Sequence, residues 1–225
     1  MNRQPTRKTA GGNRGRLLAI ALAVAGAVLT AVPAQAAATI DPSDPRLVPN
    51  PIESSDEGTA WACQVTGSDI QCAGTLAISW QLQDGPDVCA APLYSVNGVL
   101  TRTQTRYYSY DAASGRYLEY KRLVHFYSNE YFTPVPDPDY PNVVIARLSM
   151  TWISTFQAPG DLDSRSTQKQ GIDTFLKRPD GALLVLDVGQ KTTVLGEDFD
   201  FHGRWDIALG NFEDEVGKIC TALGV

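Results

Sequence analysis

The sequence predicts a mainly β fold, an antiparallel β-barrel or alternatively a β-sandwich, with one C-terminal helix. Three observations carry this expectation. Apolar and polar residues alternate through long runs, most cleanly from Val144 to Phe156. Turn chemistry recurs between such runs, at Thr66-Gly67-Ser68-Asp69, Asn97-Gly98, Asp111 to Gly115 and Arg178-Pro179-Asp180-Gly181. Helical spacing occurs only at the end, where Phe212, Val216, Ile219, Cys220 and Leu223 make one apolar stripe. Short turns make consecutive strands antiparallel neighbours, and closing the sheet into a barrel removes its exposed edges.

The first 36 residues read as a secretory signal. Arg3, Arg7, Lys8, Arg14 and Arg16 precede an apolar run from Leu17 to Val32, and no acidic residue occurs before Asp41. That run is short for the roughly 20 apolar residues of a membrane span. Pro33 ends it, and Ala34-Gln35-Ala36 has the small-residue pattern of a cleavage site. The expected product starts at Ala37 and is released outside the cell, with no Arg-Arg pair and no cysteine before Cys63 to take a lipid. Residues 37–60 hold Pro42, Pro45, Pro49 and Pro51 among Asp, Ser and Glu, and are expected to be a disordered leader. Residues 61–225 are expected to form a single domain.

Around Thr66 to Asp69 the flanks fold back so that Val65 faces Ile70, Gln64 faces Gln71 and Cys63 faces Cys72. Opposed strand residues lie within disulfide reach. Of the three pairings that four cysteines allow, Cys63 with Cys72 is therefore favoured, which leaves Cys89 for Cys220. Asn97-Gly98 predicts a two-residue hairpin between Leu93–Val96 and Val99–Arg106, because both positions tolerate positive φ. The strand from Val99 to Tyr110 alternates threonines with Arg102, Gln104 and Arg106, so neither face is plainly apolar; it lies at an edge or lines a polar cavity. In the next strand Leu118, Tyr120, Val124 and Phe126 form a stripe interrupted by Arg122, with Glu119, Lys121, His125 and Asn129 opposite. Val144, Ala146, Leu148, Met150, Trp152 and Phe156 share the core face of the strand after that. In the terminal helix Asn211 can cap, the acids Glu213, Asp214 and Glu215 suit the N-terminal end, and Gly224 can stop it.

The formal charge is −6, and loss of the five basic residues of the signal makes it −11. Such a surface repels phosphate backbones and anionic lipid heads, which argues against nucleic-acid and membrane-surface partners. No second apolar stretch approaches a membrane span.

The run from Leu93 to Arg106 (LYSVNGVLTRTQTR), the Tyr-rich strand pair after it and the late cysteine in a short C-terminal helix resemble a loosely defined group of small exported proteins of high-GC Gram-positive bacteria. The resemblance covers roughly residues 89–225. The strand order is also similar to lipocalin and allene-oxide-cyclase barrels, which implies a fold and no particular activity.

The leading functional expectation is a secreted, non-catalytic barrel that binds a small molecule or an envelope component through its interior or its Tyr-rich hairpin. Tyr107, Tyr108, Tyr110, Tyr117, Tyr120, Tyr127 and Tyr131 supply apolar area with a polar handle. The alternative is an isomerase- or cyclase-type enzyme with His125 and Glu119 as an acid/base pair on one strand face, and Arg102 and Arg106 stabilising charge. A third reading is an extracellular protein-protein or inhibitor module that uses the loop from Pro134 to Pro141. Asp198, Asp200 and His202 alternate onto one face in the manner of metal ligands, yet an acidic chain produces such sets often and no metal is assigned. No Gly-x-Ser-x-Gly elbow, His-Glu-x-x-His pair or phosphate-cradling glycine loop occurs, so no cofactor is expected.

Overall fold

Period-two alternation becomes paired strands throughout the computed structural model, which describes residues 38–86, 89–194, 197–206 and 212–225. Among these residues ten strands and one α-helix follow the chain, with a single 3-10 turn at Leu162–Ser164: β1 (Thr39–Ile40), β2 (Leu47–Val48), β3 (Ala60–Thr66), β4 (Asp69–Asp84), β5 (Tyr94–Asp111), β6 (Arg116–Thr133), β7 (Val144–Phe156), β8 (Arg165–Lys177), β9 (Leu183–Val194), β10 (Glu197–Arg204) and α1 (Phe212–Leu223). From β3 to β10 each strand pairs antiparallel with the next, β1 adds to the far side of β3, and β2 runs parallel to β6. The antiparallel β class and the C-terminal helix are those expected. The sheet does not close on itself, and β1 and β10 are the ends of its pairing path. The signal segment and the Asn211 cap lie outside the described residues.

The turns follow their chemistry, with Gly67, Gly115 and Gly181 at positive φ where β3 meets β4, β5 meets β6 and β8 meets β9. Asn97-Gly98 departs from expectation: it makes a bulge inside one continuous strand, β5, rather than a hairpin. Asn97 takes φ 48°, the same left-handed conformation that a two-residue turn uses. Both neighbours, β4 and β6, run past this point and hold β5 extended, and the Trp80 indole fills the space a side chain at 98 would need, 2.0 Å from where its Cβ would stand.

Residues 38–60 are not a disordered leader. Ile40 pairs with Cys63, and Leu47 is buried where β2 takes the edge of β6 at Tyr117 and Leu118, beyond the last β7 pair. A few apolar residues are enough here because the sheet supplies ready hydrogen-bonding edges, which an average over composition does not see.

One face of the sheet, the inner face, carries the apolar cores, and they sit at opposite ends. At one end Leu47, Ile70, Tyr108 and the Cys63–Cys72 disulfide pack together. At the other, Ile219 of α1 packs on Leu93, Phe132, Val144, Leu176 and Val185, and Cys89–Cys220 ties the helix down. Both pairings are the favoured ones, and two disulfides belong to an oxidising compartment. Among the described residues no helix is long and apolar enough to cross a membrane.

Three glycines line up across neighbouring strands, Gly171 opposite Gly189 and Gly189 opposite Gly203, with φ of 125°, 155° and 138°. A Cβ at Gly189 would stand 2.1 Å from the His202 carbonyl oxygen, so the close approach of β9 and β10 requires glycine. Gly189→Ala is expected to cost about 2–4 kcal/mol. Gly217, inside α1 with open space around its notional Cβ, is the contrast: Gly217→Ala should stabilise by about 0.5–1 kcal/mol. Urea unfolding of both variants checks this, and a neutral Gly189→Ala would contradict the glycine requirement of that close approach.

Candidate functional site

Between the two apolar ends the inner face turns polar. Arg102, Gln104 and Arg106 of β5 pair with Phe126, Val124 and Arg122 of β6, so their side chains meet on one face. A bulge in β6 then changes parity: Tyr107 faces Lys121 while Tyr108 faces Glu119, and Tyr120 is the extra residue. The bulge turns Glu119 inward. Its carboxylate accepts from Arg122 Nε and Nη2, both at 2.7 Å, and lies 3.9 Å from Arg106 Nη1, with Glu119 and Arg106 fully buried.

The Gln104 amide, oriented with its oxygen toward the guanidinium groups, accepts from Arg106 Nε at 3.0 Å and Arg122 Nε at 3.2 Å. Arg106 also donates to the Ser54 carbonyl oxygen at 3.0 Å and lies over the Trp61 ring, 4.9 Å from its centroid. Trp61 in turn sits on Gly74, where a Cβ would be only 2.7 Å from the indole. Burial first, and then the charge of Arg122, hold Arg106 below the ordinary guanidinium range, and Glu119 opposes them. Burial also raises the Tyr108 phenol, with Glu119 the next cause, so Tyr108 stays neutral and donates to the Pro49 carbonyl at 3.0 Å.

In front of this buried group lies an open cavity of about 120 Å³, lined by Ser54, Ser55, Asp56, Arg102, Gln104, Arg122, Val124, Phe126, Trp152, Ser154 and Arg165. Arg102 pairs with Asp56 and donates to Thr59 Oγ1 at 3.3 Å, while its Nε is buried without a hydrogen-bond partner. Arg165, at the start of β8, is exposed. The wall behind is aromatic: Phe126 and Trp152 lie 4.4 Å apart in a tilted stack, with Lys169 Nζ 4.3 Å from the Trp152 centroid. Four guanidinium groups (Arg102, Arg106, Arg122, Arg165) thus meet two carboxylates (Asp56, Glu119), a surplus of two positive charges inside an acidic chain.

Of the sequence-nominated residues, Arg102, Arg106 and Glu119 come together. His125 does not join them. His125 and Glu119 lie on opposite faces rather than on the single face that simple alternation predicts, because the bulge at Tyr120 changes parity between them. His125 points to the outer face and shares a hydrogen bond with Thr151 Oγ1 at 2.9 Å, in an open depression of about 510 Å³ with Thr101, Thr103 and Tyr127 and no Asp, Glu, Lys or Arg in its lining. Four of the tyrosines stack across strands, Tyr107 with Tyr120 and Tyr110 with Tyr117. The loop from Pro134 to Pro141 is pinned by Asn97 Nδ2, which donates to the Pro138 carbonyl at 2.8 Å. His202 Nε2 lies 3.0 Å from Asp200 in the open, and a register shift separates Asp198 from Asp200. Among the described residues no three His, Cys, Asp or Glu side chains are placed to hold a metal ion.

Ser54, Asp56, Trp152 and Arg165 escaped sequence reasoning. Two signals in the sequence point here: the Arg102, Gln104 and Arg106 alternation in β5 and Arg122 breaking the apolar stripe of β6.

A second polar layer separates the arginines from the helix end. Glu130 accepts from Ser95 Oγ at 2.7 Å, and Ser95 Oγ accepts from Trp80 Nε1 at 2.9 Å. Burial, and then repulsion from Asp173, Asp187 and Glu130, push Glu215 of α1 up to about 7. No family model, no curated protein and no solved structure matches this chain.

Two outcomes follow from these charges. Glu119→Gln leaves Arg106 and Arg122 buried against each other, and should cost roughly 3–5 kcal/mol by chemical denaturation; a loss under about 1 kcal/mol would show that Glu119 is not their counter-ion. Glu215 keeps its proton in the fold up to about 7, whereas an unfolded glutamate loses it near 4.5. Protonation therefore favours the fold, and stability should fall by about 2 kcal/mol between roughly pH 5 and pH 8 and then level off, once partial exposure is discounted. Glu215→Gln, a mimic of the protonated acid, should flatten that slope in thermal melts; an unchanged slope would assign it to other groups.

Proposed function

We propose that this protein is a secreted, non-catalytic binding protein that takes a small oxyanion-bearing molecule, a carboxylate, sulfate or phosphate, into the arginine-lined cavity. The observation that carries this reading is the positive surplus around a cavity whose Arg102 Nε is buried and unpartnered. Guanidinium forks match planar and tetrahedral oxyanions, and such bonds strengthen away from bulk water. A cavity of about 120 Å³ holds one such head group together with a few more atoms, while Phe126 and Trp152 receive its apolar part. Export rests on the basic and apolar N-terminal segment and agrees with the two disulfides.

Asp56 occupies Arg102 as an internal competitor on an exposed segment. Thermal shift and calorimetry with inorganic phosphate, sulfate, acetate and benzoate, and with glucose as the neutral control, test the proposal. At about 100 times its Kd an oxyanion should stabilise by about 2.7 kcal/mol, a Tm rise of about 5–10 °C, and glucose should give none. Arg165→Gln, an exposed change, should leave the ligand-free Tm in place and weaken binding about tenfold or more. Asp56→Asn should tighten it by up to about fivefold. No response to any of the four anions, or a response that Arg165→Gln leaves intact, would overturn the proposal.

A further inference from the structure

Strand β4 is much longer than its outer neighbour. β3 pairs with Asp69–Thr75 only, so from Leu76 to Asp84 the β4 edge that faces away from β5 has no partner among the described residues. Ala77, Ser79, Gln81 and Gln83 are exposed. The same four residues direct their N–H and C=O groups to that edge, since Asp69 closes the hairpin toward β3 and every second residue after it points the same way. Natural sheets blunt long edges with lysine, proline or a bulge. Leu76–Gln83 (LAISWQLQ) has no charge, proline or glycine, and β4 keeps one unbroken register with β5 throughout. Ile78 and Leu82, on the inner face of this edge, are 46% and 45% exposed, among the largest apolar exposures of the described residues.

We propose that this edge is a strand-addition site for a second copy of itself, two protomers pairing β4 with β4 antiparallel about a two-fold axis at Trp80. An antiparallel pair of identical strands is closed and isologous. With the axis at Trp80 the whole free edge is used: Ser79 faces the partner's Gln81, Ala77 the partner's Gln83, and about eight main-chain hydrogen bonds form. Each exposed Ile78 then meets the partner's exposed Leu82 in a non-hydrogen-bonded pair, where side chains lie closest. Moving the axis to Ser79 would set Gln83 against Thr75, whose edge β3 already occupies. Trp80 does not obstruct the axis. Its indole leans over Gly98 of β5, away from the free edge, and is held there by Ser95.

The test uses the full oxidised protein. Sedimentation velocity between roughly 1 and 100 μM should show a monomer–dimer equilibrium, and Ile78→Lys should weaken it at least about 100-fold while circular dichroism keeps the strand signal. Single-cysteine variants Ser79→Cys and Gln81→Cys fix the register independently. Mixed under mild oxidation they should cross-link to each other, and neither should cross-link efficiently to itself, because identical positions sit on a diagonal about 7–8 Å apart. A protein that is monomeric across this range, a dimer indifferent to Ile78→Lys, or self-cross-linking of Ser79→Cys in preference to the mixed pair would each overturn the proposal.

Discussion

The interior depends on one carboxylate. Glu119 is fully buried, and it holds Arg122 in a bidentate grip with Arg106 close by. Two guanidinium groups cannot lie side by side in a protein interior without a counter-charge, and the sheet provides this one by a bulge rather than by regular alternation. Had β6 kept strict parity, the carboxylate would face solvent and the arginines would face each other. The extra residue at Tyr120 is therefore what makes an arginine layer compatible with folding. It also leaves that layer undersupplied, since one carboxylate and one Gln104 oxygen serve two cations.

That layer is tolerable because stability comes from elsewhere. The apolar clusters sit at the two ends of strands that span up to 18 residues, about 60 Å when extended. Each end contains a disulfide: one clamps the β3–β4 hairpin, and the other fastens α1 over β7. A bridge between Cys89 and Cys220 closes most of the domain, and in the chain-entropy model such a loop contributes roughly 4–5 kcal/mol. With the ends secured, the middle of the inner face can carry charge.

Much of the architecture was legible because it is local. The boundaries of β7, the turns at Gly67, Gly115 and Gly181, and the stripe of α1 all follow from neighbours within a few residues. Cys63 and Cys72 were readable for the same reason, being fixed by one hairpin. What sequence missed is non-local or turns on parity. Asn97-Gly98 has the conformational tolerance of a hairpin, but whether it bends depends on β4 and β6 running past it. Glu119 changes face through a single bulged residue, which no periodicity count reveals. Ser54 and Asp56 reach Arg106 and Arg102 across about fifty residues of chain, from a segment whose composition suggests no structure at all.

The acidic exterior and the cationic interior are linked by the segment that carries Asp56. An acidic chain that gathers four guanidinium groups, Arg165 exposed among them, around two carboxylates holds them where the surrounding field is already favourable to cations, so the arginines are stabilised by the protein as a whole as well as by Glu119. The same field opposes the approach of an anion, and Asp56 adds a local competitor at the entrance. On the proposed reading, weak or purely ionic ligands are disfavoured relative to molecules that also bring apolar surface to Phe126 and Trp152. Selectivity here would come from requiring both halves, an oxyanion strong enough to displace a carboxylate and a body that gains from leaving water.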